Sequence, residues 1–277
     1  MGVVIGLEGT AHTAGVGIVA GDGTVLANES EMYRPPEGGI HPRKAADHHA
    51  AVFGDLILRA LTSAGVRTDD IEAVAFSIGP GLGPCLRVTA TAARAAALTL
   101  GVPLIGVNHC VAHLEIGRIV GSRDPILLYV SGGNTQVLAF VDGRYRVLGE
   151  TLDIGIGNLL DKLGLAMGLR FPAAPRLEEL ARQGRRYVPL PYSVKGMDVA
   201  FSGILTAAQG SDLGPADLAL SVQETAFAML VEVTERAMAH TGKGEVLLGG
   251  GVAQNARLVE MVSIMCRERG AVVEVPP

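Results

Sequence analysis

One pattern occurs twice in this chain, and a duplication constrains the fold more tightly than composition does. The first copy runs V-V-I-G-L-E-G-T, A-G-V-G-I-V-A, a turn at Asp22-Gly23 and T-V-L-A-N-E-S-E. The second runs I-L-L-Y-V-S-G-G-N, T-Q-V-L-A-F-V, a turn at Asp142-Gly143 and R-Y-R-V-L-G-E-T. Each copy reads as a strand, a polar loop containing glycine, a second strand, an Asp-Gly hairpin of the primed-turn type and a third strand. Helical spacing then follows, over Pro42–Ala64 after the first copy and over Gly157–Leu169 after the second, with further strand–helix alternation. The pattern predicts two similar α/β domains, 1–123 and 124–277, divided where G-S-R-D-P interrupts it. The second domain carries a helical insertion over about 155–230. Two such halves facing one another make a central cleft, the usual location of a ligand.

Composition adds exclusions. With 277 residues, 48% of them hydrophobic and 18% charged, the chain can fill two cores. No apolar run reaches the roughly 18–20 residues that cross a bilayer, and M-G-V-V-I-G-L-E lacks the basic start of a signal peptide. No membrane partner and a cytoplasmic location are therefore expected. Cys85, Cys110 and Cys266 are widely spaced and form no CxxC, so they read as reduced thiols. A formal net charge of −5 argues against a general nucleic-acid coat. Even so, Arg176, Arg182, Arg185, Arg186 and Lys195 face only Glu178 and Glu179 over one segment. Such a run is ordinarily a solvated face, although a polyanion site has the same look.

The ligand class can be argued from the glycines, of which there are 37. The loops G-L-E-G-T (6–10), G-P-G-L-G-P (79–84), S-G-G-N-T (131–135) and L-G-G-G-V-A-Q-N (248–255) each stand at a predicted strand end. Without a Cβ, backbone N–H groups can approach phosphate oxygens, so four such loops on a duplicated frame point to a nucleotide. None matches GxxxxGK[ST] or a clean GxGxxG, which disfavours P-loop and Rossmann chemistry. Separately, V-N-H-C-V-A-H-L-E-I-G (107–117) sets His109 and His113 four positions apart, on one face of a helix. That pair could share a metal ion or be two partly buried histidines satisfied by backbone carbonyls. Spacing alone leaves both open.

Ten ordered segments carry a family resemblance. They are G-L-E-G-T-A-H-T, G-G-I-H-P-R, A-A-D-H-H, G-P-G-L-G-P-C-L-R, V-N-H-C-V-A-H, S-G-G-N-T-Q-V, D-I-G-I-G-N-x-x-D-K, A-F-S-G, S-V-Q-E-T-A-F-A-M-L and G-G-G-V-A-x-N. The chain resembles the Kae/TsaD family, the threonylcarbamoyl-transferring subunit of tRNA modification, in its archaeal and eukaryotic KEOPS branch. The resemblance implies a duplicated actin-like fold of the ASKHA, ribonuclease H-like type. It implies transfer of the threonylcarbamoyl group from L-threonylcarbamoyl-AMP to the N6 amine of the adenosine next to the tRNA anticodon. It also implies one divalent metal ion on His109, His113 and Tyr129, iron ahead of zinc, and a mixed N/O set suits either of these better than Cu(I).

An adenine nucleotide, ATP or the threonylcarbamoyl adenylate, would by the same resemblance meet Tyr129, Val130, Ser131, Gly132 and Gly133. Asp161 and Glu178 would lie at the ribose with Ala174 alongside, and Asn255 near the adenine. The implied partners are tRNA and the KEOPS subunits, namely a small kinase-like ATPase and a small dimer-forming subunit packed on the first domain's helices. No general base is assigned; Glu8, His12 and Asp47 are polar candidates.

The chain departs from the family pattern at three places. Pro172-Ala173-Ala174-Pro175 stands for Pro-Gly-Gly-Pro, and the added Cβ atoms, which disfavour positive φ, are expected to weaken the nucleotide contact. Lys44 stands for Glu. The sequence closes at V-V-E-V-P-P, ahead of the family's Asp-Asn-Gly-Ala segment, which brings a fourth metal ligand, and of a closing helix. Glu274 falls within a predicted strand and cannot replace that ligand. Weak metal retention and little transferase activity, with a largely formed nucleotide site, are expected of such a form.

Three rival readings remain at this level. A zinc peptidase of the HExxH type lacks its Glu, because Cys110 follows His109. A sugar or acetate kinase would use carboxylates around Mg²⁺. A non-catalytic adenylate-binding scaffold is separated from the transferase by an assay and not by sequence.

Overall fold

Strand β1 (Val3–Glu8) alternates buried and half-buried residues along its length, with Val3, Ile5 and Leu7 turned to one face. That period of two makes it the central strand of a sheet covered on one side by helices. The computed structural model describes residues 2–35 and 38–276. They fall into two compact units, Met1–Ala112 and His113–Pro277.

In the first unit β1 pairs antiparallel with β2 (Thr13–Ala20), which pairs antiparallel with β3 (Val25–Met32). After helix α1 (Pro42–Ala64), β4 (Ile71–Gly79) pairs parallel with β1. After α2 (Gly83–Leu100), β5 (Leu104–Asn108) pairs parallel with β4, so the order is β3-β2-β1-β4-β5. Helix α1 begins with Pro42 in its first turn, where a missing N–H costs nothing. It ends at Gly65, whose φ of 63° lets its N–H reach the carbonyls of Leu61 and Thr62. Ala45, Ala46, His49, Phe53, Leu56 and Ala60 recur along its buried face. Phe53, Leu56 and Ala60 of that face join Ile5, Leu7, Val16, Ile18 and Val74 in the core, while Ala45 and Ala46 pack with Cys85.

Helix α3 (His109–Glu115) carries the boundary between the units. The Asn108 side chain starts it, its Oδ1 accepting from the N–H groups of Cys110 at 2.9 Å and Val111 at 3.1 Å. A 3-10 segment (Ile116–Val120) follows, so G-S-R-D-P, read as the divider, belongs to the second unit.

The second unit repeats the plan. Strand β6 (Ile126–Val130) pairs antiparallel with β7 (Thr135–Val141), and β7 with β8 (Arg144–Glu150). Strand β11 (Glu245–Gly249) pairs parallel with β6, and β12 (Val272–Glu274) parallel with β11. The order β12-β11-β6-β7-β8 is that of the first sheet read from its other edge. Between β8 and β11 stand α4 (Ile156–Ala166), α5 (Ala174–Ala181), a short β9–β10 hairpin (Val194–Lys195, Asp198–Val199), α6 (Ser202–Gln209) and α7 (Pro215–Thr241). Helix α8 (Ala256–Glu268) separates β11 from β12. Helix α7 is buried on several sides, through Val222, Ala226, Phe227, Leu230 and Val233 among others, because it packs on α5, α6, α8 and the sheet. Each large apolar side chain sealed there contributes about 1.5–3 kcal/mol.

The two Asp-Gly turns differ. Asp142 and Gly143 both have positive φ, 51° and 72°, as a two-residue primed turn requires. In the first unit only Gly23 does, and four residues separate β2 from β3, with the Gly23 N–H bonded to the Ala20 carbonyl. That connection is a longer loop, in place of the expected primed hairpin. Cys85, Cys110 and Cys266 are buried thiols, as expected. No described helix is long and apolar enough to cross a membrane.

Candidate active site

In the first unit the loop after β1 centres on Glu8. Its Oε1 accepts from the Thr10 N–H at 2.7 Å, and its Oε2 accepts from the Ser77 hydroxyl and lies 3.1 Å from His109 Nδ1. Burial pushes the carboxyl pKa up, but the hydrogen bond and charge of His109, with the bonds from Ser77 and Thr10, outweigh it and bring the value down to about 2. A carboxylate held so firmly ionised is a poor proton acceptor near neutral pH, which demotes Glu8 as a base. Asp47 is exposed on α1, and the His12 carbonyl accepts from the Tyr33 N–H. Lys44 is exposed too, and nothing in the structure explains it. Gly9 and Gly81 serve packing. A Cβ on Gly9 would stand 2.2 Å from Thr89 Oγ1, and one on Gly81 2.5 Å from the Thr10 carbonyl oxygen.

In the second unit the loop after β6 is S-G-G-N. The Ser131 hydroxyl donates to the Asn134 carbonyl and accepts from the Asn134 N–H, closing the loop on itself. The N–H groups of Gly157 and Asn158, in the first turn of α4, donate to the carbonyls of Ser131 and Gly132 at 3.0 and 2.9 Å. That approach requires glycine on the helix side, because a Cβ on Gly157 would lie 2.7 Å from Gly132 Cα and from the Ser131 oxygen. Gly132 and Gly133 are different. Neither has positive φ, and a Cβ on either would meet nothing within 4 Å. Their lack of side chains is therefore explained by neither strain nor packing, and it leaves open space on the side where a Cβ would stand, as a phosphate-binding loop needs. Gly251, after β11, is equally open.

The residues expected around the nucleoside have structural partners. Asp161 Oδ1 accepts from the N–H groups of Ala173 and Ala174 at 2.8 and 3.0 Å, holding the start of α5. Glu178 Oε1 accepts from Arg182 at 2.6 Å and from the Ala256 N–H at 3.1 Å, tying α5 to the start of α8. Asn255 is buried and caps α8, its Oδ1 accepting from Arg257 and Leu258 while its Nδ2 donates to Gln223 Oε1 at 3.1 Å. Together they form a brace joining α4, α5, α7 and α8. The alanines of Pro172-Ala173-Ala174-Pro175 do not strain it, since Ala173 has a φ of −89° and Ala174 opens the helix. The expected penalty on positive φ does not arise. A cavity of about 660 Å³ beside this brace is lined by Arg182, Tyr187, Gln223, Glu224, Ala256 and Arg257, with Arg257 locked by Glu224 and Glu260.

His109 and His113 occupy the first and fifth positions of α3. The His113 ring packs on that of Tyr129, centroids 4.7 Å apart, and Tyr129 is buried at the end of β6. Two imidazoles and a phenol are chemically fit to hold a borderline divalent ion. The carboxylate on His109 Nδ1 adds a feature common among metal-binding histidines. Among the described residues no three His, Cys, Asp or Glu side chains gather as a ligand group.

These features can be set beside known proteins. A family model described as TsaD, tRNA N6-adenosine threonylcarbamoyltransferase, matches residues 24–277. The chain belongs to the TsaD family. One TsaD relative, the tRNA N6-adenosine threonylcarbamoyltransferase of Thermococcus kodakarensis, is 56% identical over 99% of this chain and 86% of its own length. A probable bifunctional tRNA threonylcarbamoyladenosine biosynthesis protein of Methanocaldococcus jannaschii is 57% identical over 99% of this chain and 52% of its own. Among solved structures, HypF of T. kodakarensis superimposes with a TM-score of 0.68 at 15% identity, over 99% of this chain and 44% of that one. The ROK hexokinase of Thermus thermophilus gives 0.55 at 19%, over 99% and 92%. At such identities the structural likenesses speak for the fold alone, and the fold is the actin-like, duplicated α/β type. Within this TsaD frame, sequence reasoning missed Ser77 and Gln223. Gln223 lies inside S-V-Q-E-T-A-F, where a buried amide was a usable signal, whereas nothing around Ser77 marked it.

Proposed function

We propose that this chain transfers the threonylcarbamoyl group from L-threonylcarbamoyl-AMP to the N6 amine of the adenosine next to the tRNA anticodon. The single observation that carries the reading is the S-G-G-N loop. Its central glycines are required by neither backbone conformation nor packing and leave open the space a side chain would fill, as close approach of an adenylate phosphate to the backbone demands. The names of relatives at 56–57% identity support the same activity.

The exocyclic amine attacks the carbamoyl carbon, the C–O bond to the phosphate breaks, AMP leaves, and the amine loses a proton. An aromatic amine is a weak nucleophile, so holding the two reactants supplies much of the rate. The loop Ser131–Gly133 would take the phosphate, with Tyr129 and Val130 at its base. The brace of Asp161, Ala174, Glu178 and Asn255 would present the walls that meet ribose and adenine, through backbone and through acceptor capacity beyond their structural bonds. His109, His113 and Tyr129 would hold one divalent metal, iron ahead of zinc, and ATP would compete for the nucleotide site. When bound, that ion offsets negative charge developing on donor oxygens.

The reading extends to partners. A chain of net charge −5 is poorly equipped to grip tRNA alone, so KEOPS subunits, a small kinase-like ATPase and a small dimer-forming protein, would assemble with it in the cytoplasm. Incubating the purified chain, with and without those subunits, with preformed threonylcarbamoyl adenylate and tRNA tests this: threonylcarbamoyladenosine on digestion and mass analysis, even in the small yield expected of this form, supports transfer. Absence of product in every combination, with adenylate still bound, would favour the scaffold reading.

A further inference from the structure

Glu8 and His109 are 101 positions apart in sequence, yet Glu8 Oε2 lies 3.1 Å from His109 Nδ1. The arrangement is built from three elements of the first unit. Strand β1 ends at Glu8, β4 supplies Ser77, whose hydroxyl donates to the same Oε2, and the Thr10 N–H donates to Oε1. Both carboxylate oxygens are thus fixed before His109 is considered. The pair is largely withdrawn from solvent on the imidazole side, where the His109 side chain is 13% exposed.

An ionised carboxylate has only acceptors, so the contact requires the proton on His109 Nδ1. In the neutral ring that makes Nε2 the nitrogen carrying the lone pair. In water an unconstrained imidazole has no such fixed choice, and a ring free to rotate would point that lone pair in several directions. We infer that Glu8 is a positioning residue, which selects the Nδ1–H form of His109 and fixes its ring plane so that Nε2 is the donor nitrogen. The inference rests on the reading of His109 as a metal ligand for its functional consequence, but not for the tautomer itself. Ser77 and Thr10 serve the same end at one remove, by preventing the carboxylate from turning.

The test uses the full chain and the variants Glu8→Gln, Glu8→Asp and Glu8→Ala. In metal-free protein carrying ¹⁵N-labelled histidine, long-range ¹H–¹⁵N correlations of His109 report which nitrogen is protonated. Wild type is expected to show Nδ1–H, and Glu8→Gln, whose amide oxygen can accept the same bond, should retain it. Glu8→Ala should shift His109 to mixed forms. Glu8→Asp, one methylene shorter, should do so in part and carries the test should the alanine variant not fold. Competition of zinc against a graded chelator should give affinities in the order wild type, Gln, Asp, Ala, with the last about 10–100-fold weaker than the first. An Nδ1–H signature unchanged in Glu8→Ala or Glu8→Asp overturns the inference, as does a fall in zinc affinity with no tautomer change. If zinc binding is insensitive to His109→Ala, the metal reading fails, and the tautomer measurement still decides the role of Glu8.

Discussion

Two pairs of glycine loops stand at equivalent strand ends of the two units, and their glycines answer different needs. In the first unit Gly9 and Gly81 sit where a Cβ would press on Thr89 and on the Thr10 carbonyl, so their smallness closes the loops against one another. In the second, Gly132, Gly133 and Gly251 face open space. The contrast holds between individual glycines and not between whole units, since Gly83 of the first unit is open as well and a Cβ on Gly250 of the second would lie 2.4 Å from the Val130 oxygen. The lesson is that a glycine-rich strand end signals a site only when its missing side chain is accounted for by nothing inside the protein.

Substitutions can break or sharpen that contrast. The largest effect is expected from Gly157→Ala, whose Cβ would meet backbone at 2.7 Å on the helix side of the S-G-G-N loop. The predicted loss is about 1–3 kcal/mol in a denaturant melt, together with failure of adenine-nucleotide titration. Gly81→Ala should lose a similar amount of stability, through its 2.5 Å approach to the Thr10 oxygen, but leave nucleotide affinity of the folded fraction nearly intact. Equal damage to binding from both would erase the distinction between the two glycines.

Smaller effects follow from the caps. Asn255→Ala removes the side chain that accepts from Arg257 and Leu258 and is expected to cost about 0.5–2 kcal/mol. Asp153 is a pH probe of the same unit. Burial raises its pKa, but the Ser202 hydroxyl and the N–H groups of Phe201, Ser202 and Ile154 outweigh that and hold the carboxyl below its ordinary value of 3.8. Because the folded value is the lower one, the stabilisation is present above the unfolded pKa and is lost as pH falls through the folded value. Wild type and Asp153→Ala should therefore melt apart at pH 7 and converge in strong acid; a constant gap would contradict the assignment. Smallest in stability is Gly132→Ala, expected within about 0.5 kcal/mol of wild type while nucleotide binding weakens. Unaltered binding there would remove the main support for the phosphate site.

Much of this architecture is legible in the sequence. Strand, polar loop, strand, Asp-Gly and strand, read twice, correspond to the two sheets of identical order, and α1 occupies the residues its period marks, Pro42–Ala64. The hairpins show the limit of that reading. Asp-Gly specifies a primed turn only if the flanking strands run up to it, and the ladder of the first sheet stops short, at Val19 and Val25. The site was legible as a set of positions more than as a set of roles. Asp161, Glu178 and Asn255 carry helix-start and helix-to-helix bonds because α5 and α8 arrive beside them, a matter of tertiary approach that no local pattern encodes. The contact of Glu8 with His109 was invisible for the same reason.

One feature of the second sheet bears on how such a site is maintained over many cycles. All five residues of β6 are buried, and the strand lies between β11 and β7. Amide protons in such a strand exchange with solvent only through openings near the full unfolding free energy, whereas a bare glycine loop exchanges freely. The backbone that delivers Tyr129 and Val130 thus belongs to the most protected part of its unit, while Gly132 and Gly133 just beyond it lie outside the ladder. Over that abrupt change in local stability the loop can adapt to an arriving or departing phosphate without disturbing the register of the strand that aims it.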